Sequence, residues 1–150
     1  MKLRLFLAAA ALVGAAACGD TSPSVGPECP RATIPALSGD TVRTASGLKY
    51  LVRQQGTGAT AQAGATVTVH YTGYLTNGIR FDSSVERGQP AVFSLTQVIP
   101  GFAEGITGMK VGESRRLVIP PQLGYGSAGA GLCIPGGSTL IFDVDLIAVR

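Results

Sequence analysis

Thr66-Val67-Thr68-Val69-His70-Tyr71 alternates without a break, setting Val67, Val69 and Tyr71 on one face and Thr68 and His70 on the other. Strand side chains point to opposite faces in turn, so this period of two predicts a half-buried strand. Two other stretches read the same way. Arg115-Arg116-Leu117-Val118-Ile119 runs into Pro120-Pro121, which closes it. From Thr139 to Val149, Leu140, Phe142, Val144, Leu146 and Ala148 share a face, while Asp143 and Asp145 fall on the other. Asn77-Gly78 lies between strand-like runs and predicts a type I′ turn, because both residues tolerate positive φ. Only one stretch predicts a helix. Ile99, Phe102, Ala103 and Ile106 recur at helical spacing, Pro100 suits a first turn, and Gly105 and Gly108 keep it short. Many strands with one short helix make an α+β domain on an antiparallel sheet.

The 150 residues are 45% hydrophobic and 14% charged, with 21 glycines and no tryptophan. That suits one domain with a sizeable core, and it argues against disorder. The formal charge of +3 is not clustered, and two of its cations, Lys2 and Arg4, stand at the very start of the chain. No basic stripe is visible, which argues against a nucleic-acid partner.

Lys2 and Arg4 precede an uncharged run of thirteen residues from Leu5 to Ala17. A bilayer span takes about 20 apolar residues, so the run predicts a secretory signal over 1–17. It exits through Ala15-Ala16-Ala17-Cys18, which resembles the lipobox of bacterial lipoproteins, with Ala15 where that pattern prefers Leu. Lipidation of Cys18 would make the chain a membrane-anchored lipoprotein outside the cytoplasm, in periplasm or cell envelope; ordinary cleavage after Ala17 would leave a free thiol. Residues 18–44 carry Pro23, Pro27, Pro30 and Pro35 with no apolar period, and predict a flexible tether to a domain spanning 45–150.

The common catalytic arrangements lack their parts. Gly124-Tyr125-Gly126-Ser127-Ala128-Gly129 fits a dinucleotide-binding spacing, yet the next residues, Ala130 to Gly137, are too rich in Gly and Pro to form the required helix. A glycine-rich loop is the better reading. His70 is the single histidine, which excludes a multi-histidine zinc site and leaves it a structural residue by default. Ser127 has no nucleophile frame around it, and the three cysteines make no CxxC pair. No metal or cofactor is implied.

Five motifs succeed one another at familiar intervals: Val69-His70-Tyr71-Thr72-Gly73, Phe81-Asp82-Ser83-Ser84, Val98-Ile99-Pro100-Gly101, Tyr125-Gly126 and Leu140-Ile141-Phe142-Asp143-Val144. From about Thr44 to Arg150 the chain resembles the FKBP family of peptidyl-prolyl cis-trans isomerases. The resemblance implies an antiparallel sheet wrapped around one short α-helix. It also implies a rotamase activity on X-Pro bonds that serves protein folding. Rotation about such a bond breaks amide resonance, a barrier of about 18–20 kcal/mol. The twisted state is less dipolar than the planar amide, so an apolar, water-poor pocket favours it without any covalent step. Lowering the barrier by about 6–8 kcal/mol accelerates rotation near 10⁵-fold.

Carried over by position, the resemblance implies catalytic roles for Tyr71, Asp82, Ile99, Tyr125 and Phe142. Ile99 would offer its backbone N–H, and Tyr125 its hydroxyl, to substrate. Phe81, Arg87, Phe93, Val98, Phe102 and Ile134 would bind the substrate, with Arg87 pairing with Asp82. Phe102 stands where many relatives have the Trp of the pocket floor; Ala91 replaces a pocket aromatic and Cys133 an aliphatic. Each has a plain reading too: the apolar residues as core, Asp82 as a turn-former bonding its own backbone. The implied partners are proline-containing polypeptides and macrolides of the rapamycin type, bound by a monomer. A binding module or holdase with little turnover is the alternative function. Once Cys18 is set aside, Cys29 and Cys133 form an even pair, expected to be disulfide-bonded in an oxidising compartment; two free thiols are the alternative.

Overall fold

The structure is a computed structural model that describes residues 29–150; the expected signal (1–17), Cys18 and the first part of the tether lie outside the described residues. Seven strands and one α-helix occur in the order β1 (Val42–Arg43), β2 (Lys49–Gln54), β3 (Thr66–Leu75), β4 (Arg80–Ser83), β5 (Ala91–Ser94), α1 (Pro100–Ile106), β6 (Ser114–Ile119) and β7 (Leu140–Val149). They form one antiparallel sheet in the order β1-β2-β6-β7-β3-β4, with β5 pairing beside β4 along the same edge of β3. The long strands β3 and β7 run together over almost their whole length and form the middle of the sheet.

The alternation expected of β3 holds: Val67, Val69 and Tyr71 are buried, Thr68 and His70 half-buried. In β7, Leu140, Phe142, Val144 and Leu146 are buried as expected, but Ala148 is not a core residue. Thr68 pairs with Ala148 and Val69 with Leu146, so Ile147 is an extra residue on one strand. Such a bulge shifts the period by one, and Val149 takes the inward position instead.

The hairpin between β3 and β4 also differs from expectation. Gly78 N–H bonds the Leu75 carbonyl (3.0 Å), which makes Thr76 and Asn77 the central residues of the turn. Leu75 N–H then bonds the Ile79 carbonyl (2.7 Å), with Gly78 at φ 86° between them. This is a three-residue loop closed by a left-handed glycine, in place of the tighter two-residue turn.

Helix α1 packs against β6 through its glycines. A Cβ on Gly101 would lie 2.4 Å from Ile119, and one on Gly105 would lie 2.5 Å from Leu117. The residues that shorten the helix therefore also let its backbone press on the sheet. Phe102 and Ile106 point into the same core as Leu117, Phe142 and Val144.

Residues 29–44, expected as the end of the tether, lie along the domain. Arg31 bridges to Ile79, Ala32 N–H bonds the Gly78 carbonyl, and Val42–Arg43 pair with Tyr50 and Lys49. Arg116 also donates to the Pro35 carbonyl at 2.6 Å. Backbone groups here find partners on the domain without any apolar period, which is why this stretch reads as linker in the sequence.

Candidate active site

Tyr71 and Gly73 project from the inner face of β3, Phe81 and Asp82 from β4, Phe93 from β5, and Phe142 from β7. Gly73 creates the space between them, since a Cβ there would sit 2.5 Å from the Phe81 ring and 3.0 Å from Phe142. Phe102 enters from α1 and is 4% exposed; its ring centroid is 5.1 Å from Phe142, 5.7 Å from Phe93 and 6.2 Å from Tyr71. Phe81 meets Phe142 edge-on at 5.4 Å. These rings line a cleft of about 540 Å³ whose rim includes Val98, Ile99, Tyr125, Cys133 and Ile134.

Ten of the eleven residues expected at the site share this cleft. Arg87 does not line it. Its guanidinium lies 5.8 Å from the centre of the Tyr71 ring and bonds the Asp82 carboxylate from the outer side, so it braces the wall. Ala91 is also absent from the lining; it pairs with Val69, and the neighbouring Phe93 supplies the aromatic contact instead.

Asp82 accepts hydrogen bonds from the Tyr71 hydroxyl and from Arg87, and Arg87 also donates to the Tyr71 oxygen at 3.2 Å. Partial burial pushes the Asp82 carboxyl up, but those two hydrogen bonds and the Arg87 charge outweigh it and hold the pKa below the usual carboxylate range. Burial, then the bond to Asp82, pushes the Tyr71 hydroxyl up, so it stays protonated. The carboxylate is engaged on both oxygens, by the Tyr71 hydroxyl on one and by Arg87 on the other. A local backbone hydrogen bond from Ser83 also reaches Asp82, and Glu86 N–H bonds Ser83 Oγ at 3.3 Å, so turn chemistry is present beside the bonds to Tyr71 and Arg87.

At the start of α1, the Ile99 carbonyl accepts from Phe102 and Ala103 (3.0 and 3.1 Å), whereas its N–H has no backbone partner among the described residues. Pro100 occupies the first helical position, and Ile99 before it lines the cleft. Tyr125 is 40% exposed at the rim.

Five contributors escape a reading of the sequence. Ser84 is fully buried; its hydroxyl accepts from Tyr71 N–H (2.8 Å), donates to the Tyr71 carbonyl (3.3 Å) and lies 3.1 Å from His70 Nδ1. Its one signal is a Ser close behind Asp82, which reads as turn chemistry. Gln97, Ala130, Gly131 and Leu132 also line the cleft, and the sequence marks none of them out as a site residue. Cys29 and Cys133 are disulfide-bonded, with Cα atoms 5.6 Å apart and 104 residues of separation.

Sheet and cleft define a class: a small antiparallel domain with an open cleft lined by aromatic rings, and no group of metal-ligating side chains among the described residues. A sequence model of the FKBP-type peptidyl-prolyl cis-trans isomerases matches residues 58–147. The chain belongs to this family. It is 53% identical over 107 residues to the FKBP-type peptidyl-prolyl cis-trans isomerase FkpA of Aeromonas hydrophila, an alignment covering 71% of this chain and 40% of that one. It is 51% identical over 106 residues to FK506-binding protein 2 of Dictyostelium discoideum, covering 69% and 78%. The crystal structure of FkpA from Escherichia coli superimposes with a TM-score of 0.70 at 44% identity, covering 73% of this chain and 51% of that one. The chain spans less than half the length of the first bacterial relatives it matches.

Proposed function

We propose that this protein is a peptidyl-prolyl cis-trans isomerase that speeds X-Pro rotation in polypeptides folding outside the cytoplasm. The observation that carries the reading is the convergence of Tyr71, Phe81, Phe102 and Phe142 on one cleft with Ile99, whose N–H has no backbone partner among the described residues. Substrate proline sits against the rings, and the preceding carbonyl accepts from Ile99. Asp82 and Arg87 fix the Tyr71 ring, and the Tyr125 hydroxyl donates to the substrate backbone. The aromatic walls exclude water, so the less dipolar twisted amide is favoured over the planar one. No bond to the protein forms.

The natural ligands are proline-containing polypeptides, and macrolides of the FK506 and rapamycin type compete for the same cleft. The Lys2-to-Ala17 run and Cys18 support an exported, lipid-anchored form, with residues 18–28 as the tether and a monomeric domain beyond it. The Cys29–Cys133 bond fits an oxidising compartment. A proline-limited peptide assay tests the activity. Turnover that rapamycin blocks is expected; macrolide binding without any acceleration would leave only a binding module.

A further inference from the structure

The chain from Gly124 to Ser138 forms much of the rim, and six of its fifteen residues are glycine. Its base is locked. A Cβ on Gly129 would lie 2.2 Å from the Ile134 carbonyl oxygen, and one on Gly136 would lie 2.0 Å from that of Ser127. Ala130 and Ile134 exchange backbone hydrogen bonds at 2.9 and 3.2 Å, which isolates Gly131-Leu132-Cys133 as a tip. All three tip residues line the cleft, and Leu132 is 82% exposed. Among the described residues no backbone hydrogen bond ties the tip to the rest of the domain. The disulfide does.

On the other side of that bond, Cys29 leads into a short strap. The Pro30 carbonyl accepts from Arg80 N–H at 2.8 Å, and Ala32 N–H bonds the Gly78 carbonyl at 2.8 Å. Arg80 directly precedes Phe81 and Asp82, which form another part of the cleft wall. The path from loop tip to β4 therefore runs through one covalent bond and two backbone hydrogen bonds. Cys29 lies outside the stretch that matches the family model.

We propose that Cys29 is a positioning residue of the cleft. Through Cys133 and the strap it fixes the loop tip relative to the β3–β4 hairpin, and so holds Leu132 where it meets a bulky apolar side chain flanking the substrate proline. This rests on the cleft being the isomerase site. A tip ordered before binding need not be ordered by the substrate, and the benefit appears as affinity.

The test uses the full-length oxidised chain, its Cys29→Ala and Cys133→Ala variants, and the double variant, on peptides with Leu or Gly before proline. Breaking the brace raises KM for the Leu-Pro peptide about five- to tenfold, within the usual range of coupling between sites. The Gly-Pro peptide changes less, the loss falls on KM more than on kcat, and the double variant is no worse than either single one. Reducing the wild-type disulfide well below its melting temperature reproduces the effect, and reoxidation reverses it, which covers the case of a variant that fails to fold. An unchanged KM, or an equal rise for both peptides, overturns the proposal. An inactive oxidised wild type instead overturns the isomerase reading, and rapamycin affinity in the same proteins then decides whether the brace shapes the cleft.

Discussion

At Asp82 burial and hydrogen bonding pull in opposite directions, and the bonds from Tyr71 and Arg87 win. A carboxylate whose pKa is depressed in the fold adds stability above its ordinary range, and that stability is lost as pH falls through the lowered value. Cleft affinity is therefore expected to be flat from neutral pH down through the ordinary carboxylate range and to weaken only in stronger acid. Following the Asp82 carboxyl by NMR against a pH series of peptide binding checks the order of these events. Asp82→Ala removes the acceptor of a part-buried tyrosine hydroxyl, a loss of about 1–3 kcal/mol in comparable cases. An order-of-magnitude fall in kcat/KM is expected, with a melting temperature lower by several degrees. A normal rate in this variant would remove Asp82 from the site. Arg87→Ala, which leaves the Tyr71–Asp82 hydrogen bond in place, is expected to cost less. The partner relation between these residues was legible through family resemblance, whereas the role of Ser84 was hidden. A buried hydroxyl bonded to strand backbone has no periodic mark in sequence; only the approach of β4 to β3 reveals it.

The elements that sequence pattern revealed are those with strong contrast between faces. β3, β6 and β7 bury alternate side chains, and α1 buries Phe102 and Ile106, so their periods were legible. β2 is half-exposed with exposed ends, and β1 has two residues, so neither had a period to read. The bulge at Ile147 escaped for another reason: alternation continues in the letters while the backbone slips by one. Contact between α1 and β6 was equally invisible, although its glycines were plain. Gly105→Ala tests it. The added methyl would lie 2.5 Å from the fully buried Leu117 side chain, which would have to shift within the core. Overpacking of this kind costs about 1–3 kcal/mol, more than the fraction of a kcal/mol that alanine gains over glycine in a helix. Net destabilisation by chemical denaturation is the expected result. Gly73→Ala acts on the cleft, because its methyl would displace the Phe81 and Phe142 rings; activity there is expected to fall further than stability.

Across the whole molecule, the disulfide spans 104 residues and joins the start of the described chain to the loop at the cleft. Cross-linking removes loop-closure entropy from the unfolded state, about 4–5 kcal/mol at this length, with measured gains commonly lower. Reduction is therefore expected to lower stability by about 2–4 kcal/mol and the melting temperature by roughly 5–15 °C. The native sheet is expected to survive it, because β3, β6 and β7 form a core that includes neither cysteine. Thermal unfolding monitored by circular dichroism, with and without reductant, measures the difference. A melting temperature unmoved by reductant would mean that the two thiols are not bonded in solution, whatever their proximity in the fold.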